Sequence, residues 1–392
     1  MINVAGDQSL LKRINRMALV RFIKAEPGLC RVELAQRTGL TKTTVGMLVA
    51  ELIEEGWLCE GEPTSGNGVG RRPVPLAIDP NRIALMGAEI GVDYINVIAC
   101  NLHGEILHSQ CIPYHHDNVD KSIAELSAII SNIRNTLIEQ SRRPLGIGIG
   151  VPGMVDSNNG ILRFAPNIGW HDLPLGKYIS ASLAKFGAND LEVSLINEAN
   201  AAALSEYVFG MPRPNGPLVY ISMGIGLGAG IVLSDRLYVG HDGLAGEVGH
   251  TFLQHSGPQC ACGRHGCAET FISQQAISRD ILGNDNEVIP IEELAIRVQD
   301  NDPAVIEATK RAGEYLGLLI QNLGYTINPS LIVLGGPLCQ LGDVLIDTAI
   351  TNYQHSSGKY DQQKVSIQQC RFGINACAVG AAGAVFQQFL AP

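Results

Sequence analysis

Apolar residues near the start of the chain follow a helical period. They recur every three or four positions in one run: Leu10, Leu11, Ile14, Met17, Ala18, Val20, Phe22 and Ile23. The run predicts a helix that ends near Glu26–Gly28, where Pro and Gly interrupt it. A second short helix is predicted in CRVELAQRTGL, with Cys30 and Glu33 in the positions of a capping box.

A third helix is predicted after a tight turn at Gly39, with Thr41 as its N-cap. Two short helices joined by a Gly-containing turn are typical of a helix-turn-helix. The N-terminal end of the third helix would enter the DNA major groove, where its first residues offer hydrogen-bond donors: Lys42, Thr43 and Thr44. An ordinary three-helix bundle is the alternative.

The segment GWLCEGEPTSGNGVGRRPVPLAI predicts a strand, a Gly-rich tip and a second strand, which together form a wing. Arg71 and Arg72 lie on the tip, where Arg side chains can contact phosphates or enter a narrow minor groove. A basic linker is the alternative here. The helix-turn-helix and the wing together favour a DNA-binding domain over residues 1–80 that binds a double-stranded operator.

From Ile83 onward, strand-like runs and Gly turns replace the helical period. Three strand-like runs open the segment IALMGAEIGVDYINVIACNLHGEILHSQCI, and a second set of strands opens at PLVYISMGIGLGAGIVLSDRLYVG. Helices are predicted between and after the sets. We therefore expect an α/β body over residues 81–392 with two related lobes, and clefts between lobes are preferred ligand sites.

Composition and charge agree with this division. Apolar residues make up 46% of the chain and charged residues 17%, which is typical of a globular protein. The net charge is -10, yet residues 1–82 carry +2 and the remainder carries -12, which suits a small DNA-binding head on an acidic body. We expect neither a signal peptide nor an uncharged apolar run of about 18–20 residues. We therefore expect a cytoplasmic protein without membrane insertion, associated with the nucleoid when bound to DNA.

Three of the ten cysteines form a dense cluster, Cys260, Cys262 and Cys267, with the spacing C-x-C-x4-C. Three thiolates and one imidazole suit a closed tetrahedral zinc site, and His250, His255 and His265 lie near enough in the sequence to supply the imidazole. A cytosolic disulfide is the alternative.

Five segments, in order along the chain, carry a family resemblance: GRRP, GVPGMVDSNNGILRFAPNIGW, INEANAAALSE, GLAGEVGH and CACGRHGCAE. The chain resembles the ROK family (repressors, open reading frames and kinases), in its winged-helix repressor branch of the xylose- and N-acetylglucosamine-repressor type. The resemblance implies an actin-like, sugar-kinase-type body and a homodimer or homotetramer. It also implies a structural zinc ion held by His250 with the three clustered cysteines, because four protein ligands leave no position for water.

The resemblance further implies a site for a neutral sugar, with these contacts: Asn167, Asn197, Glu198, Glu247, His250 and Glu269. Carboxylates, amides and imidazoles suit the many hydroxyl groups of a sugar. The glycines of GVPG, Gly150 and Gly153, would let the backbone approach the sugar ring.

Three departures from the kinases of the family argue against catalysis. EIGVDY replaces an Asp-x-Gly-Gly-Thr-like phosphate loop, and Ile225 replaces the hydroxyl residue of the second loop. Glu198 stands where the kinases keep an Asp base, and an angstrom of misplacement can cost on the order of 100-fold in rate. We therefore expect a repressor that sugar binding releases from DNA and that has no enzymatic activity. An active sugar kinase with a DNA-binding domain is the alternative; a repressor answering to a protein partner or a phosphorylated sugar is a third possibility.

Overall fold

The computed structural model describes residues 8–62, 73–114, 118–210, 216–356 and 365–391. Its first part, the head, begins with α1 (Gln8–Ala25), α2 (Arg31–Thr38) and α3 (Lys42–Glu54). Glu33 accepts a hydrogen bond from the backbone N–H of Cys30 at 2.7 Å. Gly39 ends α2 at a φ of 72°, and the Thr41 hydroxyl accepts from the N–H of Thr44 at 3.1 Å. The helix ends therefore lie where the turn and capping residues predict them.

The wing pairs two short antiparallel strands, β1 (Leu58–Glu60) and β2 (Leu76–Ile78). Leu58 lies opposite Ile78, and both side chains are buried in the head. The tip of the wing, with Arg71 and Arg72, lies outside the described residues. The order of three helices and a hairpin is that of a winged helix-turn-helix.

The first lobe of the body is built on a five-stranded mixed sheet with the order β10-β6-β3-β4-β5. A small antiparallel sheet, β7-β8-β9, is inserted after β6. The elements of this lobe are β3 (Ile83–Ile90), β4 (Tyr94–Cys100), β5 (Ile106–Pro113), α4 (Val119–Glu139), β6 (Arg143–Val151), β7 (Met154–Asp156), β8 (Ile161–Ala165), β9 (Trp170–Leu173), α5 (Leu175–Lys185), β10 (Val193–Asn197) and α6 (Glu198–Phe209).

The second lobe repeats this plan with the sheet order β13-β12-β11-β14-β15. Its elements are β11 (Leu218–Met223), β12 (Leu227–Leu233), β13 (Arg236–Leu237), α7 (Glu269–Ile272), α8 (Gln274–Leu282), α9 (Ile291–Gln299), α10 (Pro303–Ile327), β14 (Leu331–Gly335), α11 (Asp343–Ser356), β15 (Ser366–Gln369) and α12 (Ala376–Leu390). Each sheet has three antiparallel strands extended by parallel strands, so the prediction of two related α/β lobes is confirmed.

The two lobes exchange their last helices. Helix α6 follows the first sheet but packs on β11 and β12 of the second, whereas α12 follows the second sheet and packs on β3 and β6 of the first. Glycine makes the contacts close: a Cβ at Gly380 would lie 1.6 Å from the carbonyl oxygen of Ala201, and one at Gly87 would lie 1.8 Å from that of Ala378. Gly380 therefore lets α12 meet α6 backbone to backbone, and Gly87 lets α12 lie directly on β3.

The segment Gly373–Leu390, which contains α12, is long and apolar enough to cross a membrane by length and composition alone. From the sequence we expected no segment of this length and composition. Because 61% of the segment is buried inside the fold, its apolar character is explained by its position in the core between the two lobes.

Candidate functional site

Four potential metal ligands converge beside the second lobe. His250, Cys260, Cys262 and Cys267 each offer one ligand atom, and these atoms lie within 4.8 Å of one another. The sulfurs of Cys262 and Cys267 are 3.7 Å apart, and the Nδ1 atom of His250 is 3.6 Å from the sulfur of Cys260. Zn–S bonds of about 2.3 Å at tetrahedral angles place two sulfurs about 3.8 Å apart, so this cluster could bind a metal ion of that size and geometry.

Glycine turns bring these ligands together. Gly263 and Gly266 have φ angles of 86° and 73°, which glycine adopts without the steric cost of a side chain. The backbone N–H of Cys260 donates to the carbonyl oxygen of Arg264 at 2.7 Å, which closes the loop. Of the three histidines that the sequence offered, the structure groups His250 with the cysteines.

Glu198 is the first residue of α6 and directly follows β10 of the first lobe. Burial raises the pKa of its carboxyl to about 7, and the nearby charge of Glu247 contributes in the same direction. Glu247 lies on the second lobe before the 3-10 helix Val248–His250. Two of the carboxylates that the sequence analysis named therefore approach each other from opposite lobes.

Another carboxyl near Glu198, that of Glu89 on β3, is buried. Burial raises its pKa to about 8, and the charge of Glu198 adds to this rise. The hydroxyl of Tyr94 donates a hydrogen bond to Glu89 Oε1 at 2.7 Å. Neither this hydrogen bond nor a role for Glu89 was predicted from the sequence. A lone carboxylate in the apolar strand IALMGAEI, five residues before a tyrosine across a hairpin, was the available signal.

Other named residues have partners inside the protein. Asn197 caps α6 through its oxygen and donates from Nδ2 to the Gly153 carbonyl at 2.9 Å. Glu269 Oε2 accepts from the N–H of Leu227 at 3.0 Å, so it supports the turn between β11 and β12. Asn167 is exposed on a short 3-10 helix, Pro166–Ile168.

The glycines of GVPG pack closely against other parts of the protein. A Cβ at Gly150 would lie 2.2 Å from the sulfur of Cys377, and one at Gly153 would lie 2.1 Å from the carbonyl oxygen of Phe164. Close packing against these protein atoms is by itself sufficient to require glycine at both positions.

The third helix presents the polar end that the sequence predicts. Lys42 and Thr43 are exposed at the start of α3. Thr44 is half-buried, and its hydroxyl lies 2.9 Å from that of Thr41. Lys42 and Thr43 are therefore better placed to contact another molecule than Thr44, which belongs to the helix cap.

Comparison with known proteins agrees with both parts of this architecture. The ROK family model matches residues 85–388, and the winged helix-turn-helix DNA-binding model matches residues 12–58. A putative xylose repressor of Caldicellulosiruptor sp. (strain Rt8B.4) is 32% identical, and the match covers 98% of each chain.

Two solved structures extend the comparison. A ROK family transcriptional regulator, a homolog of the E. coli MLC protein, has a TM-score of 0.79 at 27% identity, covering 97% of this chain and 100% of that one. A ROK family glucokinase from Streptomyces griseus, in complex with glucose and AMPPNP, has a TM-score of 0.66 at 25% identity, covering 78% and 99%. The chain therefore belongs to the ROK family, with a winged helix-turn-helix DNA-binding segment ahead of the family's body.

Proposed function

We propose that this protein is a transcriptional repressor that binds a DNA operator through its head and a neutral sugar in the cleft of its body. The proposal rests on the presence of two matched regions in one chain: the DNA-binding model matches residues 12–58, and the ROK model matches residues 85–388. The similarity to the putative xylose repressor of Caldicellulosiruptor covers 98% of each chain and therefore spans both regions. We place the boundary between the DNA-binding domain and the sugar-binding body near residue 80.

The chemistry of the cleft favours an uncharged ligand. Glu89, Glu198 and Glu247 interact electrostatically there, and burial and mutual repulsion raise the pKa values of the first two. A phosphorylated sugar would add negative charge to this acidic site, whereas sugar hydroxyls can both donate to a carboxylate and accept from a carboxylic acid. D-Xylose is the first ligand to test, because the relatives at about 30% identity are named xylose repressors.

Asn167, His250 and Glu269 complete the sugar site in this proposal, with Asn197 acting mainly through the position it gives to Glu198. His250 faces Cys260 with Nδ1, which leaves Nε2 for a sugar hydroxyl. The cluster of His250 with three cysteines holds a structural zinc ion, since four protein ligands fill a tetrahedral site. The zinc would fix this loop and the orientation of the His250 ring.

The geometry of the first phosphate loop supports a sensor without kinase activity. The ring of Tyr94 packs against Gly91, where a Cβ would lie 2.7 Å from the ring, and its hydroxyl is bonded to Glu89. Tyr94 therefore covers the loop at which a kinase needs open backbone N–H groups for phosphate. Val92 and Asp93 add bulk and negative charge at the same turn.

An active sugar kinase with a DNA-binding domain is the second candidate. Its support is the likeness to a glucokinase whose structure contains glucose and AMPPNP, over 78% of this chain. Both candidates require a carboxylate at the sugar, so a loss of sugar binding in a Glu198 variant would not separate them. An assay of sugar-dependent ATP consumption separates the two candidates.

Derepression would follow from a change in lobe closure. If the chain is a homodimer or homotetramer, closure alters the spacing of two heads, and affinity falls when the spacing no longer matches two operator half-sites. The sugar can act on DNA binding only by its differential affinity for the two conformations. The expected location is the cytoplasm, at the nucleoid when DNA is bound.

The test combines operator binding with an assay of ATP consumption. The full chain is titrated onto labelled DNA from its own promoter region, with and without D-xylose, D-glucose and N-acetyl-D-glucosamine. We expect one sugar to weaken DNA binding, with no sugar-dependent ATP turnover. Turnover would establish the kinase instead, and absence of DNA binding at moderate salt would overturn the repressor.

Glu198→Ala refines this test. We expect it to weaken the sugar response and to leave DNA binding without sugar intact. Loss of both properties would indicate misfolding rather than a role in the sugar site, and Glu125→Ala, on the surface helix α4, serves as the matched control.

A further inference from the structure

The head contacts the body at the place where α6 and α12 meet, which we call the seam. It consists of Val208 and Phe209 at the end of α6 and of Phe386 and Phe389 on α12. The rings of Phe209 and Phe386 stack with centroids 6.4 Å apart. Buried apolar residues form one continuous cluster from the head helices through this seam into both helices.

Lys24, in the last turn of α1, lies directly on the seam. Its Nζ atom donates a hydrogen bond to the carbonyl oxygen of Val208 at 2.9 Å. The same atom lies 5.0 Å from the centroid of the Phe209 ring and 4.5 Å from that of Phe386. One side chain of the head therefore contacts both exchanged helices at once.

The chemistry at the end of α6 suits a lysine. The last four carbonyl groups of a helix lack partners within it, and the helix dipole makes this end negative. Aromatic faces also attract an ammonium group. Lys24 thus meets a carbonyl on one side and two rings on the other, and its position depends on the spacing among the three.

A second contact fixes the orientation of the head. Trp57, between α3 and the wing, is buried and stacks on Phe386 with centroids 6.3 Å apart and an interplanar angle of 16°. Its ring also lies 6.1 Å from that of Phe389. Trp57 contacts α12 through these rings, whereas Lys24 contacts α6 as well as α12.

Motion between the lobes must change this geometry. Helix α6 packs on the second sheet and α12 on the first, so a rotation of the lobes displaces Val208 and Phe209 relative to Phe386. Helix α6 is buried from Ala199 to Phe209 and begins with Glu198. Its twelve residues span about 18 Å, and they connect the candidate sugar carboxylate to the contact with the head.

We propose that Lys24 is a positioning residue that transmits ligand binding in the cleft to the DNA-binding head, because it contacts both lobe-exchanged helices at the seam. Closure of the lobes changes the relative position of α6 and α12, and Lys24 converts this change into a reorientation of α1 and the head. The inference rests on the proposed function, in which the cleft binds a sugar and the head binds DNA.

The experiment measures coupling rather than affinity alone. Operator affinity of the full chain is determined by fluorescence anisotropy with and without saturating D-xylose, and the ratio of the two dissociation constants is the coupling factor. Allosteric coupling is typically about 5–150-fold. We expect Lys24→Met to reduce the factor of the wild-type protein by roughly threefold to tenfold. Sugar affinity measured by calorimetry without DNA should change by less than about twofold, since Lys24 lies far from the cleft.

Three further variants make the result specific. Lys24→Arg keeps the cation and should retain most of the coupling, whereas Lys121→Met, on the exposed face of α4, should behave like wild type. Phe386→Leu removes the ring shared by Lys24 and Trp57; it should also reduce coupling, and it replaces Lys24→Met if that variant does not fold.

The outcomes separate the inference from the function on which it rests. If Lys24→Met and Phe386→Leu bind both DNA and sugar and keep the wild-type coupling factor, the role of Lys24 is overturned while the repressor stands. If the wild-type protein binds DNA but none of the three sugars changes its affinity, the proposed function is overturned, and the inference with it.

Discussion

Replacing Gly380 with alanine is a direct test of the contact between the exchanged helices. The new Cβ would lie 1.6 Å from the carbonyl oxygen of Ala201 and 2.9 Å from the backbone nitrogen of Ser205. Carbon–oxygen contacts in proteins lie at about 3.3 Å or beyond, so the two backbones would have to separate by about 1.7 Å. The clash cannot be relieved by a side-chain rotation, because the opposing atoms belong to the backbone of α6.

The free energy of unfolding should fall accordingly. Overpacking in a core costs about 1–3 kcal/mol, and we expect the upper end here because both helices are also pressed against sheets. Alanine gains about 1 kcal/mol over glycine within a helix, which leaves a net loss of about 2 kcal/mol. With an m value of about 3 kcal/mol/M, the urea midpoint followed by circular dichroism should fall by about 0.7 M.

Gly324→Ala is the matched control for this substitution. Gly324 is also helical, and among the described residues no atom lies within 4 Å of the position of its Cβ. We expect this variant to be stabilised by about 0.5–1 kcal/mol, since only the helix propensity changes. A Gly380→Ala protein as stable as wild type, or stabilised like Gly324→Ala, would refute the close approach of α6 and α12.

Three further predictions concern the buried carboxyl, the metal cluster and the DNA contact. Burial raises the pKa of Glu89 from 4.5 to about 8, so the native state keeps a proton that the unfolded chain loses and stability falls as pH rises through this window. Glu89→Gln keeps an acceptor for Tyr94 but cannot ionise. Between pH 4 and pH 8.5, its free energy of unfolding should therefore rise relative to that of the wild type by an amount on the order of 4 kcal/mol. If the urea midpoints of the two proteins differ equally at both pH values, Glu89 is not a buried acid. Cys262→Ser should lower the zinc content measured by mass spectrometry from about one ion per chain, whereas Cys339→Ser, outside the cluster, should not; equal zinc in both would exclude the site. Lys42→Met should weaken operator binding and reduce the slope of log K against log salt by about 0.9; an unchanged slope would mean that Lys42 contacts no phosphate.

The sequence indicated the head in detail because its structure depends on neighbours in the chain. The cap at Thr41 joins atoms three residues apart, the turn at Gly39 needs a single positive φ of 72°, and the strands of the wing flank one loop. The spacing of the cysteines likewise predicted their convergence, since the loop that brings Cys260, Cys262 and Cys267 together contains its own glycine turns.

The residues of the cleft were predicted less completely. The sequence and its family resemblance named Glu198 and Glu247, and the structure brings them close enough for one charge to change the pKa of the other. The hydrogen bond between Tyr94 and Glu89 was not predicted from the sequence. It depends on the register of two antiparallel strands, in which Glu89 lies opposite Asn96. The sequence also did not show which protein atoms the glycines of GVPG contact: Gly150 packs on Cys377, and Gly153 packs on Phe164.

Helical periods, turn residues and ligand spacing are local properties, so the sequence by itself determined the winged head, the two α/β lobes and the loop that groups three cysteines with His250. Only the tertiary structure decided the exchange of α6 and α12 between the lobes. The same holds for the contact between Lys24 and Val208, two residues that are 184 positions apart in the sequence. The physical reason is that these contacts arise from burying apolar helix surfaces against distant sheets, and no spacing along the chain records which sheet a helix will cover. The raised pKa of Glu198 also depends on tertiary structure, because it results from burial and from the charge of Glu247 on the opposite lobe.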